Sequence, residues 1–174
     1  MKDLMQRAIN FHGHSCSGLA IGVLASKYIL ENGNDFSIDE ELVAVVETDS
    51  CGVDAIQVLI GTTFGKGNLI HLDYGKNVYN FFNRINEKAI RISLKDHVFW
   101  NKDLTKEERT ALILDSNPEE IFNITKIEFD PPEKAQIHNS ILCDNCGDST
   151  MSTRIKVFRE KNLCIPCYQE KIKG

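Results

Sequence analysis

Hydrophobic positions change their period several times along residues 1–130, and each change marks a new element. Lys2 to Asn10 places Leu4, Met5, Ala8 and Ile9 on one helical face. Leu19 to Glu31 is apolar on most faces, which predicts a buried helix ended by Asn32-Gly33. Leu42 to Thr48 (LVAVVET) is a β-branched run of strand length, and Val53 to Ile60 returns to helical spacing. Leu69 to Tyr74, Val78 to Asn83 and Lys88 to Lys95 read as strands separated by Gly/Asn turns. Thr105 and Glu108 make a capping box that opens a helix towards Asp115, and Asn117-Pro118 opens another. Ile124 to Phe129 alternates as a last strand. Helices and strands are segregated rather than strictly alternating, so the pattern predicts an α+β core, not a doubly wound sheet.

Length sharpens this reading. A chain of 174 residues with 42% hydrophobic content can bury a sizeable core and carry a small appendage. Asp130-Pro131-Pro132 can continue neither a helix nor a central strand. The expected organisation is a core over 1–130, a connector over 131–142 and a small unit over 143–174. The formal net charge of −5 argues against a large nucleic-acid footprint. Met1 to Arg7 lacks the apolar region of a signal peptide, and no apolar run approaches bilayer length. The expectation is a cytoplasmic chain with no membrane partner, in a compartment where free thiols persist.

The cysteines divide into four and two. Cys143-Asp-Asn-Cys146-Gly147 and Cys164-Ile-Pro-Cys167 offer four thiolates at a spacing that suits a closed tetrahedral site for structural Zn²⁺. Gly147 allows the tight knuckle. Thr153 to Arg159 reads as a strand, Glu160 to Asn162 as a turn and Tyr168 to Lys173 as a short helix, together a treble-clef-like zinc finger. Two disulfides are the alternative, disfavoured by the expected compartment. Arg154, Lys156, Arg159, Lys161, Lys171 and Lys173 make this end locally basic. Asp144, Asp148, Glu160 and Glu170 break that stripe, so a solvated face is favoured over nucleic-acid binding.

The other two cysteines lie near histidine and acid. Phe11-His12-Gly13-His14-Ser15-Cys16-Ser17-Gly18 gathers three potential metal ligands just before a helix. Cys51, within Glu47-Thr-Asp49-Ser-Cys51-Gly52-Val-Asp54, stands at another helix entrance. A site drawing His14 and Cys16 from one loop, where His12 stands beside them, and Cys51 from the other would suit Zn²⁺ or another thiophilic divalent metal. Three protein ligands would leave a position for substrate. Asp54, Asp49 or Glu47 would orient a histidine or act as base. A metal-free thiolate–imidazole nucleophile is the alternative. The glycine-rich Gly61-Thr-Thr-Phe-Gly-Lys66-Gly-Asn68 loop is not a Walker A motif, yet Lys66 and exposed N–H groups would hold an anion there. His97 and His138 stand alone and read as ordinary histidines.

Three collinear segments, FHGHSCSGLAIG, DSCGVDAIQVLIG and TTFGKGNLIHLDYGK, resemble the FmdE family, named for a component of formylmethanofuran dehydrogenase. The resemblance implies an α+β core that tends to form a homodimer, an auxiliary treble-clef finger and a histidine–cysteine site. The matching positions are His12, His14, Cys16, Cys51, Asp54, Lys66 and Asn68. Ser17 stands where such proteins often have proline, and Thr62 where they often have cysteine. The resulting expectation is a metal-binding protein of one-carbon (formyl) or molybdenum-enzyme metabolism, with structural Zn²⁺ in the finger and a second divalent metal, Zn²⁺ by its ligand types, in the core. Cys51, Asp54 and Lys66 would be its catalytic groups. The competing expectation is a non-catalytic carrier, sensor or assembly accessory docking on a larger redox enzyme.

Overall fold

Alternation in the strands has a direct consequence in the computed structural model, which describes residues 1–96 and 104–173. The N-terminal unit, Met1–Ala135, contains α1 (Lys2–His12), α2 (Ser17–Glu31), β1 (Leu42–Val46), α3 (Gly52–Ile60), β2 (Leu69–His71), β3 (Val78–Asn83), β4 (Lys88–Leu94), α4 (Lys106–Asp115), α5 (Pro118–Ile121) and β5 (Phe122–Lys126). The five strands form one sheet in the order β2-β1-β3-β4-β5. Only β1 and β2 are parallel, with α3 as their crossover, and Ala44 faces Leu69. The remaining pairs are antiparallel, including the β3–β4 hairpin with Val78 opposite Ser93. The architecture is therefore α+β.

Even-numbered positions of β1 point one way and odd-numbered ones the other. Leu42, Ala44 and Val46 join Tyr79, Phe81, Ile92 and Phe122 beneath α2 and α3. Val43 and Val45 instead pack with Phe82 and Ala89, partly covered by Ile127 and Phe129. Helix α1 lays Met5 and Ala8 against Leu19 and Val23 of α2 and Ala55 and Leu59 of α3. Helix α2 thus has neighbours on nearly every side, which is why it is apolar all round rather than amphipathic.

The Thr105–Glu108 capping box is present at α4, with both reciprocal bonds made. The last strand of the sheet begins at Phe122, earlier than the alternation over Ile124–Phe129 predicts, because α5 is only four residues long. Residues 127–129 lie beyond the strand, with the Ile127 N–H still on the Ala89 carbonyl and with Ile127 and Phe129 packed on the outer sheet face. His97 lies outside the described residues. Among the described residues, no helix is long and apolar enough to cross a membrane.

The second unit spans Gln136–Gly174. It starts inside the stretch expected to be a mere connector, because Ser140–Leu142 (β6) pairs with Ser149–Met151 (β7) around the first Cys-x-x-Cys knuckle. Lys156–Phe158 (β8) and Lys161–Leu163 (β9) form a second hairpin. Arg159 and Glu160 both take positive φ to make its turn. The single strand expected over Thr153–Arg159 is interrupted by a 3₁₀ turn at Ser152–Arg154. Helix α6 (Ile165–Lys173) begins just after Cys164, so Cys167 lies in its first turn.

Candidate metal centres

In the C-terminal unit, the ligand atoms of Cys143, Cys146, Cys164 and Cys167 all lie within 4.8 Å of one another. Gly147, at φ 79°, closes the knuckle with its N–H on the Cys143 carbonyl. The sulfurs are held by further donors: the Cys164 N–H points at Cys143 Sγ (3.3 Å) and the Asn145 amide at Cys167 Sγ (3.3 Å). Backbone N–H groups of Cys146 and Cys164 pull the Cys143 thiol down to about 6. Cys146 is pushed up to about 11: the Asp148 backbone pulls it down, but the neighbouring Cys143 sulfur and burial outweigh that. Four crowded thiols resist ionising together, and a bound cation removes that resistance. The donor set is all sulfur and closed, which fits a structural metal better than a reactive one.

The core cluster is built from helix ends. His12 is the last residue of α1, and Gly13 (φ 96°) ends the helix in the left-handed region. This reversal swings His14 back, so the two imidazole centroids stand 4.5 Å apart. Cys16 caps α2, its Sγ accepting the Leu19 N–H at 3.3 Å. The ligand atoms of His12, His14 and Cys16 lie within 4.8 Å of one another. Asp54, one turn into α3, meets His12 Nδ1 through Oδ2 at 2.7 Å. The other ring nitrogen, Nε2, is buried and has no hydrogen-bond partner among the described residues. A half-buried imidazole oriented by a carboxylate through one nitrogen, with the other buried and left free, is the arrangement of a metal-ligating histidine. The residues fit a divalent ion.

Cys51 Sγ stands beside this set without joining its mutual 4.8 Å grouping. Burial pushes its thiol up, and the facing Cys16 thiol adds to that. Both effects work against Cys51 as the first thiolate to attack an outside reagent. Behind it the phenol of Tyr79, fully buried, is pushed up to about 12 by burial, against the pull of the Ser50 hydroxyl.

Three glycines bring the helix starts together. A Cβ on Gly22 would overlap the Gly52 carbonyl, and one on Gly52 would overlap the Tyr79 hydroxyl. On Gly18 a Cβ would lie 3.3 Å from Cys51 Cβ. The close α2–α3 crossing carries Cys16 and Cys51 to the same place. Gly18 and Gly22, four apart on one helical face, were the available signal for it in the sequence. Gln57 is another participant the motifs did not single out. Its amide nitrogen donates to Asp54 Oδ1 and its oxygen accepts the Phe64 N–H, both at 3.4 Å.

Other expected participants lie elsewhere. Lys66 does not offer a free cation: its ammonium donates to the Ser37 and Ile38 carbonyls at 2.8 and 3.2 Å. It follows the C-terminal end of α3, whereas Cys51 and Asp54 belong to the start, roughly 13 Å away along the axis. Asn68, fully buried, donates to the Asp39 and Leu42 carbonyls and accepts the Thr63 N–H, so the glycine-rich loop is tied internally. Glu47 is on the outer sheet face with Asn80 and Arg91, and Asp49 is exposed. Ser17 links the start of α2 to Thr110 of α4 through their hydroxyls. His138 is half-buried.

A probable S-adenosyl-L-methionine-binding protein of Archaeoglobus fulgidus is 31% identical over 194 residues, covering 94% of this chain but 52% of that protein. The chain thus spans about half the length of that relative. The crystal structure of a tungsten formylmethanofuran dehydrogenase FmdE-like protein from Syntrophus aciditrophicus shares the fold, with a TM-score of 0.75 at 22% identity over 97% of this chain and 92% of that one. The family model FmdE, described as "Molybdenum formylmethanofuran dehydrogenase operon", matches residues 11–129, a span that holds His12, His14, Cys16, Cys51 and Asp54. On that match, the chain belongs to the FmdE family.

Proposed function

We propose that the chain is a metal-binding protein of one-carbon (formyl) or molybdenum-enzyme metabolism with two unlike metal sites. Cys143, Cys146, Cys164 and Cys167 hold a structural Zn²⁺. His12, His14 and Cys16 hold a second divalent ion, with Asp54 as the positioning residue of His12. The observation that carries this reading is His12 itself, whose Nδ1 is held by Asp54 while its buried Nε2 has no partner among the described residues. When bound, a divalent ion in the core would supply Lewis acidity. Asp54 holds the imidazole in one orientation and keeps its Nδ1 occupied, so that Nε2 faces the ion. The names of the fold relative and the family support the metabolic setting.

The engagement of Lys66 by backbone carbonyls favours a second reading, a non-catalytic metal carrier or assembly accessory. The cation expected to hold an anionic substrate is already in use. Both readings include a cytoplasmic homodimer, which light scattering on the purified chain would check.

Elemental analysis per chain tests the common part. Wild type is expected to hold one ion in the finger and a second in the core, and His12→Ala/Cys16→Ser to lose only the second. Equal metal content in both proteins would remove the core site from the reading. Tight retention of the second ion against a chelator would favour the enzyme. Ready exchange would favour the carrier.

A further inference from the structure

The free space between two helix starts points to chemistry that metal binding does not use. Cys16 caps α2, and Cys51 occupies the N-cap position of α3. The point where a Cβ of Gly18 would stand is 3.7 Å from Cys51 Sγ and 3.9 Å from Cys16 Sγ, so both sulfurs border one small gap left by the missing side chain. Both cysteines are half-buried, which gives a small reagent access to them. Both helices are locked at their crossing by Gly22 against Gly52, so the two sulfurs stay opposed.

We propose that Cys16 and Cys51 are a reversible dithiol–disulfide pair, whose closure withdraws Cys16 from His12 and His14. The step is two successive thiol–disulfide exchanges with a small-molecule disulfide. Cys16, its sulfur already facing the Leu19 N–H, attacks the oxidant. A mixed disulfide forms and one thiol leaves. Cys51 then attacks Cys16 Sγ, the Cys16–Cys51 bond forms and the second thiol leaves. The two protein thiols lose two electrons and two protons, and the oxidant is reduced to two thiols. Bridge formation needs no metal. Its consequence, that the oxidised chain cannot load the core site, rests on the metal reading above.

The test equilibrates the full chain with glutathione buffers from fully reduced to fully oxidised, then blocks remaining thiols and maps the cysteines by mass spectrometry. The expected result is a linked pair of tryptic peptides, 8–27 and 28–66, lighter by two hydrogens in sum. Dithiothreitol separates them again, and neither Cys16→Ser nor Cys51→Ser forms the link. Adding zinc chloride to the oxidised chain should give core uptake lower by at least about ten-fold than in the reduced chain. Intact mass of the wild type, blocked before digestion, reads the same bridge without relying on a variant that folds. Cys16 and Cys51 remaining separately alkylatable at every glutathione ratio, or pairing instead with finger cysteines, would overturn the pair. A bridge that leaves core zinc uptake unchanged would overturn the gating. A bridge in a chain whose reduced form takes up no core zinc would keep the dithiol and sink the metal site. Core zinc uptake with no bridge would do the reverse.

Discussion

Two clusters of ligand-type side chains in this chain are built on opposite principles. In the finger, all four sulfurs come from two short knuckles, each closed by local bonds such as Gly147 N–H to the Cys143 carbonyl. In the core, His12, His14 and Cys16 are local to one another, but the group that orients His12 is forty-two positions away on another helix. The finger is a small unit with few buried apolar residues besides its cysteines, Leu163 being the fully buried one. The core has a large apolar interior of its own. The lesson concerns cause and effect. On the proposed reading, the metal would make the fold in the finger, whereas in the core the fold would make the metal site.

The largest effect that would break this comparison is removal of metal. Chelation, or Cys143→Ser, should abolish amide exchange protection across 136–174 while leaving that of α2 and β3 unchanged. Equal loss in both units, read by hydrogen exchange mass spectrometry, would erase the distinction. Next is Gly22→Ala, whose Cβ would meet the Gly52 backbone with no flexible atom to yield. We expect destabilisation of about 3 kcal/mol in urea melts, with the core metal lost and the finger metal kept. A mild effect would show that α2 and α3 can separate without cost to the site.

Asp54→Asn is expected to be subtler. The chain should fold normally and bind the core metal about 10- to 100-fold more weakly by competition titration. Unchanged affinity would mean that Asp54 holds α1 to α3 and does nothing for His12. The smallest effect is reserved for Lys66→Met. Losing its two carbonyl contacts should cost about 1 kcal/mol of stability and leave core metal affinity unaltered. A large change in affinity would restore Lys66 to the site.

Much of the fold was legible because its signals are local. The β3 strand at Val78–Asn83 coincides with the run read as a strand, and the Thr105–Glu108 box starts α4 as expected. Boundaries slipped where tertiary contacts govern. Residues 127–129 keep the alternation of a strand and pack Ile127 and Phe129 on the outer sheet face, but only the Ile127 N–H still reaches β4. The stretch before Cys143 read as a connector, since Ser140–Leu142 gains its pairing only from β7 beyond the knuckle.

Sequence by itself determined the α+β class, the four-sulfur cluster and the nearness of His12, His14 and Cys16, because ligand spacing and hydrophobic period act over a few residues. Tertiary structure alone decided which acid meets His12, that Cys51 faces Cys16, and that Lys66 is spent on backbone carbonyls. Those outcomes depend on how closely α2 and α3 approach and on which end of α3 each loop leaves. Packing sets that approach, through three glycines whose missing side chains appear in the sequence only as an absence of volume.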